Sequence, residues 1–99
     1  MPQFLLLCRD KPDSVDLRMA TREAHLAYIA KADGNVLLAG PMLDDNGRPV
    51  GSLLIIDAED RNAANAFAEA DPYAKASLFE DVEVRPYKLV TGKLLAKEV

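Results

Sequence analysis

Tryptophan is absent from this 99-residue chain, and histidine and cysteine occur once each, as His25 and Cys8. One histidine and one distant thiol cannot assemble the nitrogen and sulfur ligands of an ordinary zinc site. A lone cysteine cannot close an intramolecular disulfide. Cys8 lies in a short apolar run, where a thiol behaves as a small core hydrophobe. This usage fits a reducing, cytoplasmic setting. Clusters of lysine and arginine are also missing, and the net charge is −4. Phosphate backbones are gripped by clustered cations, so nucleic acid is not an expected partner. The apolar run Phe4 to Cys8 is too short to cross a bilayer or to form a signal-peptide core, and no membrane association is expected. There is no glycine-rich phosphate loop, no nucleophile motif around Ser52 or Ser77, and no calcium-loop spacing in Asp44-Asp45-Asn46-Gly47. Neither a metal nor a cofactor is expected.

What remains is a folded chain with little special chemistry. A hydrophobic content of 49% with 28% charged residues is that of a globular protein, and the length suits one domain over residues 1–99. Phe4-Leu5-Leu6-Leu7-Cys8 reads as a buried strand, broken at Arg9-Asp10-Lys11-Pro12. Asp13 or Ser14 can cap a helix through a side-chain oxygen. Val15, Met19, Leu26 and Ile29 recur at helical spacing, continuing to about Ala32, and Asp33-Gly34-Asn35 stops the pattern. Val36 to Ala39 and Ser52 to Ile56 read as strands two and three. Between them Asp44-Asp45-Asn46-Gly47-Arg48-Pro49 is a turn that pairs them as a hairpin. An alanine-rich helix, Ala63 to Ala70, ends at Asp71-Pro72, and Val82 to Tyr87 alternates as a last strand. Thr91 to Val99 reads as a tail or strand extension.

The order β-α-β-β-α-β predicts an α+β, ferredoxin-like fold: a four-stranded antiparallel sheet with two helices on one face. Leu5, Leu7, Leu38, Leu53 and Ile55 put apolar side chains on both faces, so the uncovered face should pair with a second copy.

Few side chains can carry chemistry. At ~100° per residue, His25 falls on the shoulder of the first helix's apolar stripe, partly shielded, which suits a titrating group. The alternative is a histidine that completes packing or bonds a backbone carbonyl. Asp71, before a helix-ending proline, is either placed by turn chemistry or aimed as a carboxylate at a cation such as His25. It stands at a helix C-terminus, where a negative charge is disfavoured. Arg22 falls within the apolar stripe and is the better candidate to bind an acid group, whereas Arg18 reads as a solvated arginine paired with Asp13, Asp16 or Glu23. Ser52 and Tyr73 can offer hydroxyls to a ligand or simply pack. Gly40 and Pro41 read as turn geometry beside the hairpin, while Gly51, opening the third strand, can allow close backbone approach.

Several segments, taken in order, resemble one family. Arg22-Glu23-Ala24-His25-Leu26, Leu38-Ala39-Gly40-Pro41, Gly51-Ser52, Asp71-Pro72-Tyr73 and Val84-Arg85-Pro86-Tyr87 are similar to the YciI-like (YCII-related) family over essentially the whole chain. The resemblance implies a dimeric α/β barrel in which two protomers pack sheet on sheet around a central cavity. It also implies an active site built on a His–Asp pair, falling on His25 and Asp71. Relatives in the wider superfamily include muconolactone isomerases and a chloromuconolactone dehalogenase. The expected function is cofactor-free acid–base chemistry on a small anionic organic molecule. His25 would transfer the proton, Asp71 would orient and stabilise it, and Arg22, Ser52 and Tyr73 would bind substrate. The alternative is a homodimeric scaffold or metabolite-binding module without catalysis.

Overall fold

The computed structural model describes residues 1–32 and 34–93. Alternating apolar residues build its sheet. The strands are β1 (Gln3–Asp10), β2 (Val36–Leu43), β3 (Pro49–Asp57) and β4 (Phe79–Tyr87), and the helices are α1 (Val15–Ala30), α2 (Arg61–Ala70) and α3 (Pro72–Lys75). All neighbouring strands pair antiparallel in the order β2-β3-β1-β4, the ferredoxin-like arrangement that the element order predicts. The single-turn α3 is new: it begins at the proline expected only to end the preceding helix. The strands extend one to four residues beyond the sequence boundaries, because ladder pairing continues through residues such as Gly40, Pro41 and Gly51 that carry no strand signal.

Period two decides the inner face. Phe4, Leu6 and Cys8 stand opposite Ile56, Leu54 and Ser52, and the apolar members close on Ala64 and Ala68 of α2. Leu6, Leu54 and Ile56 are each 1% exposed, and full burial of such a side chain is worth roughly 1.5–3 kcal/mol. Most of the apolar stabilisation therefore lies between the sheet and α2. Asp60 starts α2 by accepting the Ala63 N–H at 2.8 Å. At its C-terminal end, α1 is tied to this core by Ile29 and by the Tyr28 hydroxyl, which donates to the Phe67 carbonyl at 2.8 Å.

The start of α1 differs from expectation. Asp13 takes a positive φ of 56°, and the Ser14 hydroxyl donates back to the Pro12 carbonyl, so neither side chain caps the helix. The helix also ends two residues before Ala32, while Gly34 takes the left-handed φ of 85°. Asp33 and Leu94–Val99 lie outside the described residues, and with them most of the expected tail.

The hairpin turn forms on Asn46-Gly47, with Asp44 accepting the N–H groups of Asn46 and Arg48, both at 2.9 Å. Gly40 and Pro41 do not belong to it; they lie within β2, and Gly51 lies within β3. Pro41 is tolerated because β2 is an edge strand. At Gly51 a Cβ would meet the Met42 methyl and stand 2.6 Å from the Cys8 carbonyl, so close strand packing requires glycine there.

Leu5, Leu7, Leu38, Leu53 and Ile55, expected to divide between the faces, all lie on the reverse face, because the ladder sets Leu5 and Leu38 beside Ile55 and Leu7 beside Leu53. Beside them runs an ion-pair row in which Arg9 meets Asp81 at 3.0 Å and Arg85 meets Glu83. Among the described residues no helix is long and apolar enough to cross a membrane.

Candidate active site

Beneath α1, towards β2 and β3, lies a cavity of about 580 Å³, within the range that holds small organic ligands. It is a feature of one protomer, between helix and inner sheet face, and not a space between two sheets. Ala39, Pro41, Ser52 and Leu54 form its sheet wall, while Arg18, Arg22, His25 and Ile29 come from the helix. Exposed Met19, Leu26 and Leu43 also line it, which puts apolar side chains where the cavity meets solvent.

The helix buries the opposite of what its apolar stripe suggests: its buried residues are Arg18 and His25. They are seven positions apart, on one face and two turns along. Each is matched by an acid from elsewhere in the chain.

His25 Nδ1 stands 2.9 and 3.1 Å from the two carboxylate oxygens of Asp71, with both residues buried. Asp71 is held in turn by its own turn chemistry. It ends α2 and caps α3, its Oδ1 accepting the Tyr73 N–H at 2.9 Å, with Pro72 in the first helical turn. The N-cap bond gives the carboxylate a second donor, so the unfavourable helix-end position expected for Asp71 is only half of its setting. An ionised carboxylate only accepts, so Nδ1 carries the ring proton and Nε2 is left with a free lone pair. Tyr73 stacks on the imidazole, ring centroids 4.1 Å apart and 16° from parallel.

The Arg18 guanidinium lies 4.4 Å from the centre of the same Tyr73 ring. Arg18 is not solvated, as its sequence setting suggested. Its Nε and Nη2 donate to Asp10 at 2.7 and 2.9 Å, and Nη2 also donates to Ser52 Oγ at 2.8 Å. Burial opposes the guanidinium charge, but the hydrogen bond and charge of Asp10 outweigh it and hold the group above its ordinary range. Arg22 has the converse fate: it is exposed, lines the cavity, and makes no ion pair among the described residues. Its long stem reaches water, so its position in the apolar stripe does not bury the charge.

Two remaining groups are ruled out as bases or nucleophiles at neutral pH. Burial pushes the Tyr73 phenol up, with Arg18 partly opposing. The Cys8 thiol is pushed up to about 12 by burial, reinforced by Asp71. Among the described residues no group of three or more His, Cys, Asp or Glu is placed to hold a metal ion.

The chain thus brings His25, Ser52 and Tyr73 into the cavity lining, holds Asp71 against His25, and leaves Arg22 exposed along the cavity. Sequence reasoning missed Arg18 and Asp10. The spacing of Arg18 and His25 on one helical face was a usable signal, but nothing local paired Arg18 with the last residue of β1.

Residues 2–88 match the family model of the YCII-related domain. The protein YciI of Escherichia coli O6:H1 is 39% identical over 95 residues, covering 88% of this chain and 97% of that protein. An uncharacterized protein of Haemophilus influenzae is 35% identical with the same coverage. Among solved structures, the 5-chloro-2-hydroxyhydroquinone dehydrochlorinase TftG of Burkholderia phenoliruptrix AC1100, in complex with 2,5-dihydroxybenzoquinone, is 34% identical with a TM-score of 0.80. That likeness covers 87% of this chain and 93% of the other. By family match, identity and shared fold, this chain belongs to the YCII-related domain family.

Proposed function

We propose that the protein is a cofactor-free acid–base enzyme acting on a small, oxygen-rich anionic molecule, with His25 as the proton-transferring group. The observation that carries this is the buried His25–Asp71 contact at 2.9 Å in the wall of a cavity of ligand size. Nε2 takes a proton from an acidic C–H or O–H of the substrate. The resulting imidazolium is stabilised by Asp71, and the proton returns at another atom in an isomerisation or leaves with an expelled halide in an elimination. The dehydrochlorinase named for TftG supports the elimination branch, since its relative shares the fold and a third of the sequence. Arg22 is suited to draw an acid group to the cavity mouth, and Tyr73 holds the imidazole plane.

The test is chloride release from 5-chloro-2-hydroxyhydroquinone. The wild type should turn it over, and His25→Asn should lower the rate about 10²–10⁴-fold, the usual share of a positioned general base. Binding of this compound and of small lactones without turnover by the wild type would replace the enzyme with a metabolite-binding module.

In this reading the protein works in the cytoplasm as a homodimer, joined through the reverse sheet face that carries Leu5, Leu7 and Leu53. Light scattering at micromolar concentration should give twice the 10.8 kDa chain mass. Leu7→Glu on that face should give monomers; a monomeric wild type would rule the dimer out.

A further inference from the structure

Ser52 has a hydrogen that the protein does not use. The residue is 3% exposed and lines the cavity. A hydroxyl has one hydrogen and two acceptor lone pairs, whereas a guanidinium can only donate. The 2.8 Å contact from Arg18 Nη2 therefore fixes Ser52 Oγ as an acceptor on that side and directs its hydrogen elsewhere. Among the described residues that hydrogen meets no acceptor. Arg18 is more fully engaged: its Nε and Nη2 donate to Asp10 and Ser52, and it also hydrogen-bonds the Tyr73 side chain. A buried donor left unpaired costs about 1–3 kcal/mol, a cost that a bound oxygen would remove.

Charge narrows the kind of oxygen. Arg18 is matched by Asp10 in a buried pair whose side chains are 4% and 3% exposed, so the cluster is close to neutral overall. A localised double charge such as phosphate would lose its hydration there without a net countercharge. A delocalised oxygen, as in a phenolate, an enolised quinone or a lactone carbonyl turning into an enolate, needs directed donors more than a full positive charge. The shared contact with Tyr73 places these donors and His25 in one wall.

We propose that Ser52, oriented by Arg18 and Asp10, is the hydrogen-bond donor that holds a phenolate- or enolate-type oxygen of the ligand in this cavity. Ser52 touches the ligand, and Arg18 and Asp10 are positioning residues. The proposal rests on the acid–base reading only for the chemistry that follows binding; the donor site itself stands without it.

The test is titration of 2,5-dihydroxybenzoquinone, followed by its visible band, into wild type, Ser52→Ala, Ser52→Cys and His25→Asn. Wild type should bind at sub-millimolar concentration. Ser52→Ala should bind about 10- to 100-fold more weakly, the usual loss for a hydrogen bond to a charged oxygen. Ser52→Cys, of similar volume but with a weak donor, should also bind more weakly. His25→Asn should keep most of the affinity while losing turnover. Unchanged affinity in a folded Ser52→Ala or Ser52→Cys, or no binding by wild type up to millimolar probe, overturns the oxygen site. Full turnover by His25→Asn would instead overturn the acid–base reading and leave the oxygen site in place.

Discussion

Replacing Arg18 by methionine should lower the unfolding free energy by about 3–5 kcal/mol, the cost of leaving one partner of a buried ion pair uncompensated. The stranded group is Asp10, whose side chain is 3% exposed and which receives two hydrogen bonds from Arg18. Ser52 and the face of Tyr73 lose their partner as well. Small domains have about 5–15 kcal/mol to lose, so the variant should stand near the edge of folding. At about 4–8 °C per kcal/mol for a domain of this size, thermal denaturation should show Tm lower by no less than about 12 °C. Asp10→Leu alone should be similarly harmful. The double variant Arg18→Met/Asp10→Leu should recover much of the loss, because two apolar groups strand no charge. Additive losses in this cycle would mean that the pair is not a coupled unit.

Asp71→Asn should cut kcat/KM for the proposed reaction by about 10²–10⁴-fold while leaving the chain folded. At 2.9 Å, a unit charge pair at an effective dielectric near 20 is worth about 6 kcal/mol, and that factor in rate corresponds to about 3–5 kcal/mol. The electrostatic term is thus large enough to carry the effect alone. An amide keeps the shape and can still accept the Tyr73 N–H, but it brings no charge to the imidazolium. Its NH2 group would also face Nδ1–H, donor to donor. Nitrogen-15 NMR of His25 should accordingly report the Nδ1–H tautomer in the wild type and a mixture of tautomers in Asp71→Asn. Turnover within threefold of wild type, or an unchanged tautomer, would remove Asp71 from the mechanism. Asp71→Ala is the less informative change, since it also deprives Tyr73 of its cap and confounds rate with stability.

Both experiments concern polar residues whose roles were unequally legible in the sequence. The fold was legible because local signals agreed. Phe4 to Cys8 alternates against Ser52 to Ile56, Asn46-Gly47 accepts the positive φ that closes the hairpin, and proline follows α2. His25 and Asp71 stood out as the single histidine and an acid before proline. The Asp-Pro-Tyr run even carried a readable start signal for α3, an N-cap acid followed by proline, which the preceding alanine-rich helix masked. The burial of Arg18 and Arg22 was expected the wrong way round for a physical reason. A helical wheel equates the apolar side with the buried side, and α1 does not obey that rule. Met19 and Leu26 are 53% and 45% exposed, while Arg18 is 3% exposed. A charge can be buried only where an opposite charge arrives from another element, and that partner is invisible to any window of sequence containing the helix alone.

The sequence by itself determined the element order, the hairpin and the short inventory of reactive groups, because each depends on residues close in the chain or on composition. Only the tertiary structure decided where the cavity lies, that Asp10 neutralises Arg18, and that Tyr73 lies against both His25 and Arg18. It alone decided which hydroxyl is left with a hydrogen to give. Those facts depend on pairings up to 55 residues apart, the separation of Arg18 and Tyr73. Burial and hydrogen-bond satisfaction are properties of the assembled neighbourhood, and no residue carries them alone.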